Sequence, residues 1–225
     1  MLIIIRLFNS QGADTLIDAK MKQFKKYMEK YTSVSSNEWE IISQTFTQQK
    51  YLKNEIILNE GETCRYFYYL GRGLLRSYYS YDGCDVVKSF IFPPFGFTSG
   101  ASFVNRLPAI ESIQAIEESY VWKINYEQYQ QLMQLSSWTK FTHGLLSESD
   151  NSSKQMIIQL KSQTPGQRYR WLTQNYHPSQ LQQIPQKYLA SYLGVAPQSL
   201  CRIKNKLYKD RRLLGFGQKN KSVAP

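Results

Sequence analysis

The sequence predicts an α+β chain in three parts: leading helices, an antiparallel β-barrel or sandwich, and a basic helical last third. Three observations carry this. Between residues 55 and 124, strand-like runs of about six residues recur at roughly ten-residue spacing, with Gly or Pro between several of them. After Ile124 those signals stop and helical spacing takes over. The charge is also segregated. From residue 154 to 225 there are 13 Lys+Arg against one acid, Asp210, a net of +12, whereas the first 153 residues come to −1.

Composition bounds the function. At 225 residues the chain is one large domain or two small ones, with 42% hydrophobic and 14% aromatic residues, which excludes global disorder. Cys64, Cys84 and Cys201 are odd in number, far apart and without a CxxC spacing. A disulfide framework, structural zinc and an iron–sulfur cluster are therefore not expected, and a reducing cytoplasm fits. His143 and His177 make no metal-binding pair, so neither a metal nor another cofactor is expected. No nucleophile–base pair, metal spacing or phosphate loop suggests an enzyme. No stretch reaches the 18 apolar residues of a membrane span, and Met1–Phe8 (MLIIIRLF) lacks the flanks of a signal peptide. Residues 1–20 are expected to be an extension outside the fold.

Residues 22–48 read as helical, with Ser35–Glu38 a capping box ahead of Trp39, Ile41, Ile42 and Phe46. Strands are expected over 55–58, 66–70, 74–79, 86–92, 110–116 and 120–124. Gly71-Arg72-Gly73 reads as a hairpin turn rather than a phosphate loop, because no strand-to-helix junction surrounds it. Residues 126–161 hold one glycine and no proline and read as one long helix, with a break possible near 149–153. Leu132, Leu135, Trp138 and Leu145 lie near one stripe of it. So long a helix with a polar opposite face must pack on something, either its own domain or a second copy.

The last third carries the chemistry. Thr164-Pro165-Gly166-Gln167 is a helix start with a good N-cap, Pro at the first helical position and a capping-box Gln. A short segment, 181–184, could be extended. Pro185 then opens a helix whose Tyr188, Leu189, Tyr192 and Leu193 share a face, and Gly194 ends it. In the next helix, from Pro197, Leu200, Ile203 and Leu207 form the buried side, and Gln198, Ser199, Arg202, Asn205 and Lys206 lie largely off it. Two short helices joined by a turn containing Gly are the signature of a helix-turn-helix. The second helix fits the major groove, where Arg can pair with guanine and Gln with adenine, while Lys and Ser hold phosphates.

Residues 184–207 (IPQKYLASYLGVAPQSLCRIKNKL) closely resemble the helix-turn-helix of Crp/Fnr-type transcriptional regulators. The order upstream, a helix, a β-roll and a long helix, resembles theirs too. The resemblance implies a cyclic-nucleotide-binding-like sensor β-roll (a double-stranded β-helix) over 21–125, a long connecting and dimerisation helix over 126–161, and a winged-helix DNA-binding domain over 162–225. It implies a homodimer on near-palindromic double-stranded DNA that contacts RNA polymerase. Arg202 matches a guanine-reading Arg, and Gln198 matches a base-reading position more often acidic. Gln186, Lys187, Ser199, Lys204, Asn205 and Lys206 are the expected backbone contacts. Leu132, Leu135, Trp138 and Leu145 are the expected dimer stripe.

The sensor departs from the cyclic-AMP-binding pattern of that family, a Glu after a Gly and an Arg-Ser pair. No acid occurs from Phe92 to Ile110, and the Arg-Ser pair aligns with Ala109-Ile110. Ser99, Gly100, Arg106 and Ser112 are the candidate effector residues, the effector itself being unknown, and dependence on cyclic AMP is not expected. The alternative reading is a small-molecule sensor whose basic end binds DNA only non-specifically.

Overall fold

The computed structural model describes residues 21–219, so the expectation for residues 1–20 and the end of the basic tail lie outside the described residues. The chain divides into two compact units. One runs to Tyr79 and includes Ser89–Asn151; the other joins Ser80–Lys88 to the chain from Ser152 onward.

The first unit opens with helix α1 (21–28) and helix α2 (Ser36–Thr45). Ser35 caps α2 by accepting from the Glu38 N–H, as the capping-box spacing predicts. The strands follow: β1 (Thr47–Tyr51), β2 (Ile56–Leu58), β3 (Tyr66–Arg72), β4 (Leu75–Tyr81), β5 (Cys84–Ile91), β6 (Phe95–Phe97), β7 (Ser112–Ala115) and β8 (Ser119–Asn125). They form two four-stranded sheets, ordered β1-β8-β3-β6 and β2-β7-β4-β5. Consecutive strands thus alternate between sheets in places, the wrapping of a β-roll. The turn at Gly73, expected to close a hairpin, instead passes the chain from one sheet to the other.

Four further features of this unit depart from the sequence reading. The helix read over 22–48 is interrupted at 29–35, between α1 and α2. Thr47–Tyr51 is an edge strand rather than the end of a helix, its polar side chains mostly exposed and its Tyr51 buried. A short helix, α3 (Gly100–Asn105), interrupts the strands. The expected continuous helix over 126–161 is two helices, α4 (Tyr126–Leu132) and α5 (Ser136–Ser162). The break has a long-range cause: Glu38 of α2 accepts the Ser137 N–H at 3.2 Å and so caps the start of α5. That bond is the largest reason its carboxyl is held below the usual range.

Period-two alternation splits the sides of β3 and β8. Phe67 and Tyr69, with Trp122 and Ile124, face the helices. Phe24 of α1 packs 4.2 Å from the Tyr69 ring, and Trp138 of α5 packs edge-on to Phe67 at 5.5 Å. On the other side Tyr68 stacks on Phe97 at 5.1 Å, inside the roll. The aromatic residues of the sequence are therefore shared between the helix-packing face and the roll interior.

This packing corrects the expected dimer stripe. Leu132 is 2% exposed and Trp138 fully buried, and Leu135 and Leu145 pack on the same core. The stripe turns inward because it is the face that covers the aromatic sheet. The outward apolar side chains of α5 are Leu146, Ile157, Ile158 and Leu160.

The second unit is helical apart from the hairpin tip: α6 (Pro165–Asn175), α7 (Pro178–Gln183), α8 (Gln186–Tyr192) and α9 (Pro197–Lys219). The capping box at Thr164 and Gln167 forms in both directions. The segment 181–184, read as extended, is instead the end of a helix over residues 178–183, with Pro178 at the first position and His177 as N-cap; only Ile184, its C-cap, is extended. The backbone of α9 stays helical to Lys219. No strand follows β8 among the described residues, so the wing of the expected winged helix is not found there.

Candidate nucleic-acid interface

The second unit is built around a small apolar core. Leu172 of α6, Ile184, Leu189 and Ala190 of α8, Leu193 and Leu200 of α9 are all nearly inaccessible. The spacing that buries Leu200 turns the next residues outward. Gln198, Arg202, Asn205 and Lys206 are exposed, and Ser199 is half-buried. Gln186 and Lys187, at the start of α8, are exposed as well. Lys204 takes a different course: it is half-buried, and its Nζ lies 5.8 Å from the centre of the Tyr169 ring of α6. Burial lowers its pKa from the ordinary lysine value.

The turn between α8 and α9 is tightly specified. Val195 N–H donates to the Ala190 carbonyl and Gly194 N–H to the Ser191 carbonyl, both at 3.0 Å. These are the paired bonds of a Schellman motif. It needs a left-handed residue after the helix, and Gly194 supplies it with φ of +66°. Leu193 then has a free carbonyl at the helix end, and Arg168 of α6 donates to it through Nη2 at 2.7 Å. The other arm of the same guanidinium donates through Nη1 to the Gln163 carbonyl, also at 2.7 Å. One side chain therefore joins the residue following α5 to the turn before α9.

A second grip comes from the tip of the β4–β5 hairpin, which belongs to this unit. Ser191 Oγ accepts the Val87 N–H at 3.0 Å and donates to the Asp85 carbonyl at 2.9 Å. The sequence reading singled out neither Arg168 nor Ser191 as a site residue. Nothing in local spacing marks a serine in α8 as the partner of a chain segment 104 residues away.

The candidate effector residues are not gathered on one point. Ser99 is buried at the N-cap of α3 and makes no side-chain cap bond, and Gly100 opens that helix. Arg106 ends α3 in a left-handed conformation, its guanidinium 5.2 Å from the centre of the Tyr126 ring. Ser112 is buried and accepts the Glu60 N–H at 2.9 Å. Beside it, the buried Glu111 carboxylate accepts from Ser77 Oγ at 2.8 Å. On the neighbouring strand, Arg76 donates through Nε to Gln114 at 2.8 Å and lies 3.9 Å over the Tyr78 ring. Among the described residues no cluster of His, Cys, Asp or Glu could hold a metal ion, and no helix is long and apolar enough to cross a membrane.

Comparison with known proteins agrees with this architecture. The family model for the cyclic nucleotide-binding domain matches residues 48–136. No curated protein sequence matches significantly. Among solved structures, the catabolite activator protein of Thermus thermophilus is 17% identical, with 80% of this chain and 86% of that one covered and a TM-score of 0.52. The c-di-GMP responsive global regulator CLP of Xanthomonas campestris is 17% identical, with 78% and 93% covered and a TM-score of 0.63. A Eubacterium rectale protein assigned to the Crp/Fnr family of transcriptional regulators is 18% identical, with 79% and 85% covered and a TM-score of 0.60. Residues 48–136 thus match the cyclic nucleotide-binding domain, in a chain whose fold is similar to that of solved regulators, one of them assigned to the Crp/Fnr family.

Proposed function

We propose that the protein is a homodimeric, sequence-specific DNA-binding transcription regulator of the Crp/Fnr type. Helices α8 and α9 act as the helix-turn-helix and α9 enters the major groove. The observation that carries this is the outer face of α9. Gln198, Arg202, Asn205 and Lys206 stand exposed together, in a segment with 13 basic residues against one acid. An acid-free face bearing Arg and Gln suits phosphate and base-edge contact, and little else on a soluble surface favours it. Arg202 and Gln198 read bases. Lys187, Gln186, Ser199, Asn205 and Lys206 hold the backbone, with Lys204 reaching it only by leaving Tyr169. RNA polymerase is the partner expected at the promoter.

The dimer forms through the outward side of α5. Leu146 is 70% exposed, Ile157 53% and Leu160 49%. Residues 146 and 157 are eleven apart, about three turns, and residue 160 returns near the same line, so the three suit a parallel helix partner. Such a pair places two copies of α9 on one duplex and requires a two-fold-symmetric site.

The sensor is not set up for cyclic AMP. A cyclic phosphate needs cationic or N–H donors in a partly dry pocket. From Phe92 to Ile110 the only cation is Arg106, which is exposed and lies over Tyr126. Calorimetry should therefore give no binding of cyclic AMP at micromolar concentrations.

The function is tested by selecting sites from random duplex DNA with no added ligand. Enrichment of a palindrome with half-sites about one helical turn apart is expected. Salt-sensitive binding without enrichment would instead favour a small-molecule sensor with a non-specific basic end.

A further inference from the structure

We infer that Lys204 is a positioning residue of the DNA reader: its ammonium stays over the Tyr169 ring of α6 when α9 lies on DNA, and so fixes the rotation of α9 about its own axis. The inference rests on the DNA-reading function proposed above. Its basis is where residue 204 falls on the helix. At about 100° per residue, Lys204 lies roughly 40° from Leu200, whereas Gln198, Arg202, Asn205 and Lys206 lie roughly 120–160° from it, on the opposite side. Leu200 is fully buried, and Lys204 is half-buried beside it. Lys204 therefore flanks the buried stripe and is turned away from the reading face.

The ammonium has a partner on that inner side. Its Nζ lies 5.8 Å from the centre of the Tyr169 ring, within the reach of a cation attracted by a ring face. Burial lowers the Lys204 pKa, opposed by Cys201, so part of its water is already gone and the ring stands in for it. Next to it on α9, Cγ2 of Ile203 is 4.0 Å from a Cβ built on Gly166, in the first turn of α6. Residues 203–204 of α9 thus seat on residues 166–169 of α6 through one apolar contact and one cation. Apolar burial is non-directional and lets a helix roll. The cation–ring contact is set to one side of the stripe and opposes that roll.

Rotation of α9 is consequential because one helix carries both Gln198 and Arg202. A binding constellation must be held within about 10–20° of its productive geometry, and paired bonds to a base edge are lost beyond that. Attraction to phosphates depends on charge and has no such requirement. Lys204 therefore acts on specific binding without touching phosphate.

Five proteins test this: wild type, Lys204→Met, Lys204→Arg, Tyr169→Leu and the double variant Lys204→Met/Tyr169→Leu. Each is titrated with the selected duplex and a scrambled one over a range of salt. Lys204→Met should bind the selected duplex about fivefold more weakly, with scrambled binding and the salt slope unchanged. Lys204→Arg, which keeps a cation over the ring, should recover most of the loss. Tyr169→Leu should match Lys204→Met, and the double variant should be no weaker than either single change. A phosphate contact would instead lower the salt slope by about one per protomer, and that result would overturn the positioning role. Equal weakening on both duplexes, or losses that add in the double variant, would overturn it too. Lys204 lies outside the apolar core, so its two variants decide the matter even where Tyr169→Leu loses helicity. If wild type itself fails to discriminate between duplexes, the DNA-reading function has failed and the positioning role falls with it. The coupling of the two substitutions in urea unfolding, followed by Trp171 fluorescence, then decides whether the contact exists.

Discussion

Arg168 donates to the carbonyl of Leu193 at 2.7 Å, and with its other arm to Gln163 at the same distance. Two carbonyls 30 residues apart in sequence are thereby held by one planar cation. A guanidinium can do this because its donors form a fixed fork; an ammonium group reaches one carbonyl at a time.

Arg168→Ala should destabilise the second unit by about 2 kcal/mol, since hydrogen bonds to charged groups contribute on the order of 1.5–3 kcal/mol and truncation leaves two acceptors to water. Arg168→Lys should recover less than half of that. Urea unfolding followed by the fluorescence of Trp171 in α6 reads it. Full recovery by Lys would mean that only the charge matters.

The approach of α5 to the residues after α1 depends on Gly144. A Cβ built there would lie 2.3 Å from Cδ1 of Tyr31, whose hydroxyl bonds to Glu148 one turn further along α5. Gly144→Ala should cost roughly 1–3 kcal/mol through overpacking. Combined with Tyr31→Ala it should cost much less than the two changes summed, because the clash is gone. Additive losses would place the cost elsewhere.

Alkaline pH should unfold the protein through its buried phenols. Burial, with a smaller contribution from Tyr176 and opposition from Arg168, pushes Tyr192 up to about 12. In the first unit burial, helped by Glu55 and Tyr66, pushes Tyr51 to about 12. A folded pKa above the unfolded value of about 10 favours the neutral form in the native state, so this stability is complete below pH about 10 and is lost as pH rises through about 12. Urea midpoints should be flat to about pH 10 and fall above it, and Tyr192→Phe should flatten part of the fall in the second unit. An unchanged slope in that variant would contradict the assignment.

Ile157→Glu should dissociate the dimer, since it places a charge on the apolar outward side of α5 while touching no core residue. Sedimentation should give a monomer with unchanged helicity. Trp138→Ala should behave differently, lowering stability by about 3–5 kcal/mol as a core cavity mutant. A dimer that survives Ile157→Glu would place the interface on another surface.

Much of the fold is legible in the sequence because its signals are local. The capping boxes at Ser35 and Thr164, the left-handed Gly194 and the alternating runs of β3, β4 and β8 each state their own conformation. The unreadable parts depend on distant partners. The helix break before Ser136 is set by Glu38, ninety-nine residues from the Ser137 N–H it receives. Strand β1 is recognisable only when β8 lies beside it, because its sequence TQQKY carries little strand preference of its own. The inward turn of Leu132 and Trp138 follows from the aromatic face they cover, whereas a helical stripe alone says only that something covers it. At the candidate interface the outward residues of α9 follow from the spacing of Leu200, Ile203 and Leu207. The grips of Arg168 and Ser191 on backbone carbonyls and N–H groups have no side-chain pattern to betray them.

The most direct test of the account compares wild type and Arg202→Ala on the selected palindrome and on variants changed at each base pair. Arg202 is exposed on α9 with no core role, so the variant should fold normally. The account predicts a loss of about 1–3 kcal/mol on the selected site, discrimination relaxed at one base pair per half-site, and little change on scrambled DNA. Equal weakening on every sequence would reduce Arg202 to a phosphate contact and contradict the reading of DNA by this face of α9.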